Sequence, residues 1–385
     1  MDRAKEVLKK NTMLIALIIV TIFFTIQTSG TLLYPQNVTN LIAQNGYVVV
    51  LAVGMLMCIL TGGNIDLSVG SIVALVGAIA GKLIVNAHLN IWLSIIICLI
   101  VGIAIGVWQG FWIAYIRIPA FIVTLAGMLL WRGVALIVLG GLTISPYPAN
   151  YLNLFNSYVP DVFQGSINIL CIVAGFIISA IYIVVQFVSR MNKSKKGYVQ
   201  ENLLVTILKA VIIILVIMAL SFTLANHKGI PVILILLAVI VFIYAYYTTK
   251  TVPGRYLYAM GGNEKAAKLS GINTNRVLFL AYVNMAFLSA VAALMCVARF
   301  NSSAPTAGTN YELDAIGACF IGGASAYGGI GTVAGVVIGA VFMGVINNGM
   351  SIMGINTDMQ KVVKGLVLLA AVAFDVISKR RSKNA

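Results

Sequence analysis

The chain has 385 residues, of which 61% are hydrophobic and only 9% are charged. Soluble domains carry about 25% charged residues, so this composition excludes a soluble globular protein and predicts an integral membrane protein with little mass outside the bilayer. The formal net charge of +15 does not indicate a nucleic-acid-binding protein, because the basic residues separate apolar runs instead of forming one continuous positive surface.

The five cysteines and two histidines indicate neither a metal site nor a disulfide framework. The cysteine count is odd, no CxxC motif exists, and every cysteine lies in or beside an apolar stretch. Metal sites and disulfide scaffolds need recognisable spacings, so we interpret these thiols as small buried hydrophobic groups.

Apolar runs close to the ~20 residues that a helix needs to cross the hydrocarbon recur along the whole chain. The first continues past the length of a signal-peptide core without a clear cleavage site, so an uncleaved span is favoured and cleavage is the alternative. The tenth run is short and rich in small residues, which suggests a broken or re-entrant element. The twelve predicted spans are Thr12–Leu33, Leu41–Leu60, Leu67–Val85, Ile91–Ile116, Ala120–Leu142, Ile167–Val188, Leu203–Leu224, Ile230–Tyr247, Val277–Ala298, Leu313–Ala326, Thr332–Met350 and Gln360–Ile377.

The positions of the charged residues agree with this number of spans. If the N-terminus is cytoplasmic, alternate crossings place Arg117, the basic cluster at 190–196, the loop Thr248–Arg276 and the basic C-terminal residues 379–383 on the cytoplasmic side. Basic residues accumulate in cytoplasmic loops. We therefore expect both termini to be cytoplasmic.

The loop Thr248–Arg276 is the longest polar interruption in the second half of the chain. Asn263 is a good N-cap for a short helix over Glu264–Leu269, and Gly271 suits its end. A capped helix held at the membrane face is a surface on which another protein can push.

A second polar landmark, Thr61–Ser71, separates two apolar runs and contains Asp66. The favoured interpretation is that Asp66 lies in a cytoplasmic turn and caps the following helix through the backbone near Ser68. The alternative is that this glycine-rich break lines a transport pathway, where irregular backbone is tolerated.

Four segments together resemble the permease subunits of ribose/galactose/xylose-type carbohydrate ABC importers: TGGNIDLSVGS at 61–71, IPAFIVTLAGMLLWRGVALIVLGG at 118–141, GRYLYAMGGNEKAAKLSGI at 254–272 and IGGASAYGGIGTVAGVVIGA at 321–340. The resemblance implies an all-α integral membrane protein, a polytopic bundle of about 10–12 transmembrane helices like those of type II ABC importers. Residues 1–385 would form a single permease domain. Residues 144–228 form an insertion with two extra spans that the shorter ribose-type permeases lack. The resemblance implies a comparable insertion in the xylose-type branch.

The resemblance further implies that the loop 248–276 docks into a cleft on an ATP-hydrolysing subunit. This chain lacks GxxxxGK[ST], so it would be no enzyme, would carry no cofactor, and would leave ATP to its partner. Small side chains at 266 and 267 would let the helix seat deeply in that cleft. The implied coupling residues are Gly254, Arg255, Ala259, Gly261, Asn263, Glu264, Ala266, Ala267, Gly271 and Ile272.

A sugar pathway needs uncharged groups that exchange hydrogen bonds with hydroxyls, and each candidate could instead bond another helix. Arg132 requires water, the interface or an acidic partner, and we expect it to lie in a water-filled vestibule or to pair with an acidic group such as Asp314. The candidate pathway residues are Asn64, Asp66, Ser68, Ser71, Gln109, Thr124, Arg132, Asp314, Ser325, Asn347 and Asn348.

The family also implies partners: an extracytoplasmic sugar-binding protein and a second permease copy, with a homodimer favoured, in a bacterial inner membrane. Complementary charge could dock the binding protein, through Lys228, Arg299, Glu312 and Asp358. The alternative function is an ion-gradient-driven secondary transporter, for which twelve spans are also common.

Overall fold

The computed structural model describes residues 12–163, 165, 167–197 and 203–383. Across these residues the fold is built from α-helices joined by turns and loops. The helices are α1 Thr12–Gln27, α2 Pro35–Leu60, α3 Val69–Gly81, α4 Ile91–Ala114, α5 Ala120–Leu139, α6 Ala149–Asn156, α7 Ile169–Lys195, α8 Leu203–Ala225, α9 Val232–Lys250, α10 Val252–Gly262, α11 Glu264–Leu269, α12 Thr274–Phe300, α13 Tyr311–Ile321, α14 Val333–Ile352 and α15 Thr357–Lys383.

Within the described residues, nine helices are long and apolar enough to cross a membrane, counting α3 with the π-helical turn that extends it to Asn86. All nine coincide with predicted spans, so the predicted class, an all-α polytopic membrane protein, is confirmed. The first predicted span is the shorter helix α1, and the twelfth is α15.

The tenth predicted span is a broken element, as its composition suggested. Helix α13 has only 11 residues, which rise about 16 Å, roughly half the hydrocarbon thickness. The irregular segment from Gly322 to Gly331 follows, and the Gly329 amide donates to the carbonyl of Leu60 at the end of α2 (3.1 Å). Irregular backbone at membrane depth is tolerated where it is packed within protein, and Ala324 in this segment is fully buried.

The core of the main unit forms around α2 and α12, because small residues let neighbouring helices approach closely. A Cβ added to Gly102 of α4 would lie 2.5 Å from Ala290 of α12, and one added to Gly106 would lie 2.7 Å from the backbone of Val283. Glycines four residues apart therefore let α4 approach α12 closely, which is a common helix-packing device in membranes.

The described chain divides into two compact units. The main unit comprises residues up to Leu32, Leu41–Asn156 and the chain from Ile233 onward, and the second comprises Leu33–Asn40 and Ser157–Val232. Within the second unit α7 and α8 form a hairpin, in which Arg190 donates to Thr206 (3.0 Å). The proposed insertion at 144–228 starts earlier than this unit, because α6 belongs to the main unit, where Tyr151 donates to the Leu294 carbonyl (2.8 Å).

Candidate functional site

Three glycine-rich turns meet backbone to backbone at one end of the main unit. They are the turn Thr61–Asn64, the end of α10 at Gly261–Gly262 and the loop Ala326–Gly331. We name these three segments together the glycine hub. A Cβ added to Gly261 would lie 1.9 Å from the Leu60 carbonyl oxygen, and one added to Gly63 would lie 2.1 Å from that of Ala326. Tyr258 of α10 donates to the Gly331 carbonyl (2.9 Å). Segments that lie far apart in the sequence are therefore held together here.

The loop after α9 contains the short helix that the sequence predicts. Helix α11 spans Glu264–Leu269, and Asn263 Oδ1 accepts a hydrogen bond from the Ala266 amide (3.0 Å). The helix ends at Leu269, and Gly271 follows two residues later with a φ of +83°, a conformation that favours glycine. Both the cap and the stop are confirmed.

Arg117, in the turn between α4 and α5, ties that turn to the polar loop. Its guanidinium lies 2.8 Å from Glu264 Oε1 and also donates to Thr274 (3.3 Å) and to Asn275. The contact agrees with the sequence expectation that Arg117 and the loop 248–276 share one side of the membrane.

Exposure divides the predicted coupling residues into two groups. Ala267 is only 5% exposed and packs inward, so the expectation that it seats in a partner's cleft is wrong, whereas Ala266 is exposed. The adjacent Leu269 is 90% exposed, which leaves a large apolar side chain in water at the tip of a polar loop. The exposed predicted residues are Arg255, Ala259, Asn263, Ala266 and Gly271, and those buried or half-buried are Gly254, Gly261, Glu264, Ala267 and Ile272.

Asp66 lies in a closed polar cluster between α2 and α3, and it is fully buried. Its Oδ1 accepts hydrogen bonds from the Ser68 amide (2.8 Å) and the Ser68 hydroxyl (2.6 Å), and Gln109 of α4 donates to that hydroxyl (2.7 Å). Burial raises the pKa of Asp66 to about 6, against the opposing effect of the Ser68 hydrogen bonds. The predicted contact with the start of α3 is confirmed, but the side chain is not in a solvated turn.

Two other predicted pathway residues adjoin this cluster. Thr124 of α5 is fully buried and donates to the Ala120 carbonyl (2.9 Å), while the hydroxyl of Ser71 is buried with no hydrogen-bond partner in the described part of the chain. Thr124 Oγ1 also lies 3.5 Å from the carbonyl oxygen of Ile65, the residue before Asp66.

Arg132 does not pair with Asp314, so that expectation is wrong. Its guanidinium donates to the carbonyls of Pro305 (3.3 Å) and Ala307 (2.5 Å) in the loop before α13. The acidic residue with which it interacts is Glu312. Glu312 is directed inward, where its Oε2 would lie 2.6 Å from a Cβ added to Gly70, so it is a poor candidate for the predicted docking role.

Asp314 instead pairs with Lys364 of α15. The Lys364 ammonium lies 2.9 Å from Asp314 Oδ1, and Tyr47 of α2 donates to Oδ2 (2.9 Å). The two charged side chains are 3% and 18% exposed. This ion pair therefore joins α2, α13 and α15 inside the protein.

A groove rich in amides opens beside this ion pair, with a volume of about 190 Å³. Tyr47 and Tyr311 stack there with ring centroids 4.0 Å apart, and the buried side-chain oxygen of Asn347 has no hydrogen-bond partner among the described residues. We name this site the amide groove. Its lining residues are Leu41, Gln44, Asn45, Tyr47, Phe300, Tyr311, Gly344, Asn347 and Asn348.

Amide groups and aromatic faces are the combination that binds a small, uncharged, hydroxylated solute, because amides both donate and accept hydrogen bonds. The volume lies below the ~300–1,000 Å³ typical of drug-sized ligand sites, so only a small solute fits. Sequence reasoning found Asn347 and Asn348 but missed Gln44, Asn45 and the tyrosines. The available signal was the pair of adjacent amides, Gln44 and Asn45, that directly precedes the long apolar stretch of α2.

The remaining predicted residues are dispersed. Ser325 is buried in the loop after α13, where its hydroxyl accepts from the Tyr327 amide (3.1 Å), and Asn64 donates to Thr61 in the glycine hub (3.1 Å). Of the predicted docking residues, Arg299 is exposed, Asp358 pairs with Lys361 (3.0 Å), and Lys228 lies 5.8 Å from the ring of Tyr158. Their roles stay predictions.

A bundle of apolar membrane helices with an interior polar groove and an exposed polar loop defines the class of a multi-pass membrane permease. The family described as "Branched-chain amino acid transport system / permease component" matches residues 37–372, and the chain belongs to this family.

The chain is similar to two groups of curated proteins. It is 37% identical over 374 residues to the xylose transport system permease protein XylH of Escherichia coli K12, covering 96% of this chain and 92% of that protein. The XylH of Haemophilus influenzae is also 37% identical, with 96% of both chains covered. The ribose import permease protein RbsC of Escherichia coli K12 is 32% identical over 341 residues, or 88% of this chain and 85% of that protein. No solved structure matches the chain.

Proposed function

We propose that the chain is the membrane subunit of an ATP-driven sugar importer in a bacterial inner membrane, with both termini cytoplasmic. It passes a pentose or hexose, with xylose favoured, from an extracytoplasmic binding protein to the cytoplasm while a separate subunit hydrolyses ATP. The similarity to xylose permeases over 96% of this chain supports the sugar. The hairpin α7–α8 supports the same branch, since it lies in the region where the sequence departs from shorter permeases.

The observation that carries the proposal is that α13 and the loop after it join the amide groove to the glycine hub. Tyr311, at the start of α13, lines the groove, and the loop that follows α13 bonds to α2 and α10 through Gly329 and Gly331. A displacement of α10 therefore reaches the groove through one short helix and its loop. A broken helix with a substrate site at its end is a recurrent device of membrane transporters.

The ATPase subunit would bind the exposed side of α10 and α11. Leu269 supplies an apolar contact, and the same two helices carry the exposed cations Arg255, Lys265 and Lys268. A partner shifts the permease between two conformations only by its differential affinity for them. Because the sequence contains one such loop and the proposed transporter has two ATPase subunits, a second copy of the chain would complete it.

Reconstitution tests this function directly. We expect the purified chain, combined with its ATPase subunit in vesicles, to show ATP hydrolysis that a xylose-loaded binding protein stimulates more than a ribose-loaded one. Asn347→Leu should raise the xylose concentration for half-maximal uptake by about tenfold, the effect of losing one hydrogen-bonded contact of roughly 1.4 kcal/mol.

Asn226→Leu is the matched control, because Asn226 is an exposed amide that donates to the Phe222 carbonyl. If both variants raised the xylose concentration for half-maximal uptake equally, the amide groove would have no specific role in binding the sugar. Accumulation of sugar under an ion gradient, with no ATPase subunit present, would overturn the proposal in favour of a secondary transporter.

A further inference from the structure

A second groove, apolar and separate from the amide groove, opens on the main unit between α4, α9, α10 and α12, with a volume of about 410 Å³. Its floor includes Met57, Leu257 and Ala281, which are at most 4% exposed. Its walls include Ile243 and Leu280, which are 54% and 47% exposed. We name it the apolar groove.

One end of the apolar groove carries positive charge. Tyr247 and Val277 line that end, and the exposed cations Lys250 and Arg276 lie one turn beyond Tyr247 and directly before Val277. In the described part of the chain, neither cation has an acidic partner within ion-pair distance. The groove therefore combines an apolar body with an uncompensated cationic end.

We propose that the apolar groove holds an acyl chain of an anionic phospholipid, whose phosphate pairs with Lys250 and Arg276. Clusters of basic residues at helix ends are the established recognition chemistry for anionic lipid headgroups. A whole transmembrane helix, a cylinder of about 10 Å diameter and 30 Å length that occupies roughly 2,400 Å³, is too large to lie inside the groove.

The bound lipid would act on the coupling loop. Pro253 and Leu257 of α10 line the apolar groove, and α10 ends in the glycine hub at Gly261. An acyl chain packed against α10 holds this helix at a fixed distance from α9 and α12. The lipid composition of the membrane would therefore change how strongly ATP hydrolysis in the partner is coupled to movement of the permease. This regulation goes beyond the sugar transport proposed above, and lipid binding can be measured without sugar or ATPase.

The test uses the purified full chain in vesicles of phosphatidylcholine alone and of phosphatidylcholine mixed with phosphatidylglycerol. Lipid that remains bound after extraction into detergent is identified by native mass spectrometry. We expect phosphatidylglycerol to be retained and phosphatidylcholine to be lost. Lys250→Gln/Arg276→Gln should weaken phosphatidylglycerol retention at least tenfold, and Leu280→Trp, which narrows the groove, should do the same.

Lys193→Gln/Lys195→Gln removes two exposed cations from the end of α7 and is the matched control. A thermal unfolding midpoint within a few degrees of the parent protein establishes that each variant is folded. Equal retention of both lipids, or phosphatidylglycerol retention that is unchanged in the Lys250/Arg276 and Leu280 variants, would overturn the proposal. Equal loss in the control pair would also overturn it, because non-specific charge attraction would then explain the retention.

Discussion

Replacing Gly261 by alanine should open the glycine hub. The added Cβ would lie 1.9 Å from the Leu60 carbonyl oxygen, 1.1 Å short of the 3.0 Å limit that real Cβ atoms respect, and 2.4 Å from the Gly329 nitrogen. Both opposing atoms belong to backbone, so no side chain can rotate away. The substitution must displace α10 from the end of α2 or break the hydrogen bond between Gly329 and Leu60.

The expected cost follows from these two consequences. Overpacking costs about 1–3 kcal/mol, and a lost backbone hydrogen bond costs about 1 kcal/mol. Alanine recovers about 0.5–1 kcal/mol at a helical position. The net penalty of about 2 kcal/mol corresponds to a roughly 25-fold shift from an intact toward an opened hub.

Hydrogen exchange measures this shift directly, because the Gly329 amide is the donor in the hub. In Gly261→Ala this amide should exchange at least tenfold faster, and ATP hydrolysis in the reconstituted transporter should lose its stimulation by the binding protein. Gly262→Ala is the matched control, since a Cβ there meets no atom within 4 Å and its φ is not positive.

The reasoning fails if both variants protect the Gly329 amide equally. It also fails if Gly261→Ala opens the hub while binding-protein stimulation stays at the parent level, because the hub would then have no part in coupling. A loss of stimulation in Gly262→Ala alone would place the function on the exposed face of α10 instead.

Three further experiments test the other contacts. Asn263→Ala removes the cap of α11 and should destabilise this helix by about 0.5–2 kcal/mol. The backbone amides of α11 should therefore exchange hydrogen faster than in the control Asn263→Asp, which keeps a side-chain acceptor. Equal exchange in the two variants would show that the cap is dispensable. Arg117→Gln and Glu264→Gln should give a coupling energy below about 1 kcal/mol in a double-mutant cycle of thermal unfolding, because the pair is 41% and 43% exposed. Lys364→Met should lower the free energy of unfolding by about 3–5 kcal/mol, because it leaves the buried Asp314 unpaired. The double variant Lys364→Met/Asp314→Asn should recover most of that loss. A double variant no more stable than Lys364→Met would refute the ion pair.

Local sequence signals predicted the local structure well. The cap at Asn263 and the stop at Gly271 depend on residues three or four positions apart, so the sequence contains all the information that they need. The same holds for the spans, since the length of an apolar run limits the length of a membrane helix. The short tenth run was also predicted correctly as a broken element.

Contacts between distant segments were predicted poorly. From the sequence we expect Asp314 to pair with Arg132, whereas the structure pairs it with Lys364. We also expect Ala267 to enter a cleft on the ATPase subunit, whereas Ala267 packs inside this chain. A helix that is apolar on every side gives no periodic signal that separates its core face from its lipid face. Which polar residues meet across helices therefore cannot be deduced from one sequence.

The sequence by itself determined the class of the protein, its membrane helices and the short capped helix of the polar loop, because each depends on composition or on neighbours within a few residues. Only the tertiary structure decided that three glycine turns form one hub, that an ion pair and an amide groove adjoin α13, and that Ala267 faces inward. Those features depend on the rotation and separation of helices, which side-chain packing across the whole main unit fixes.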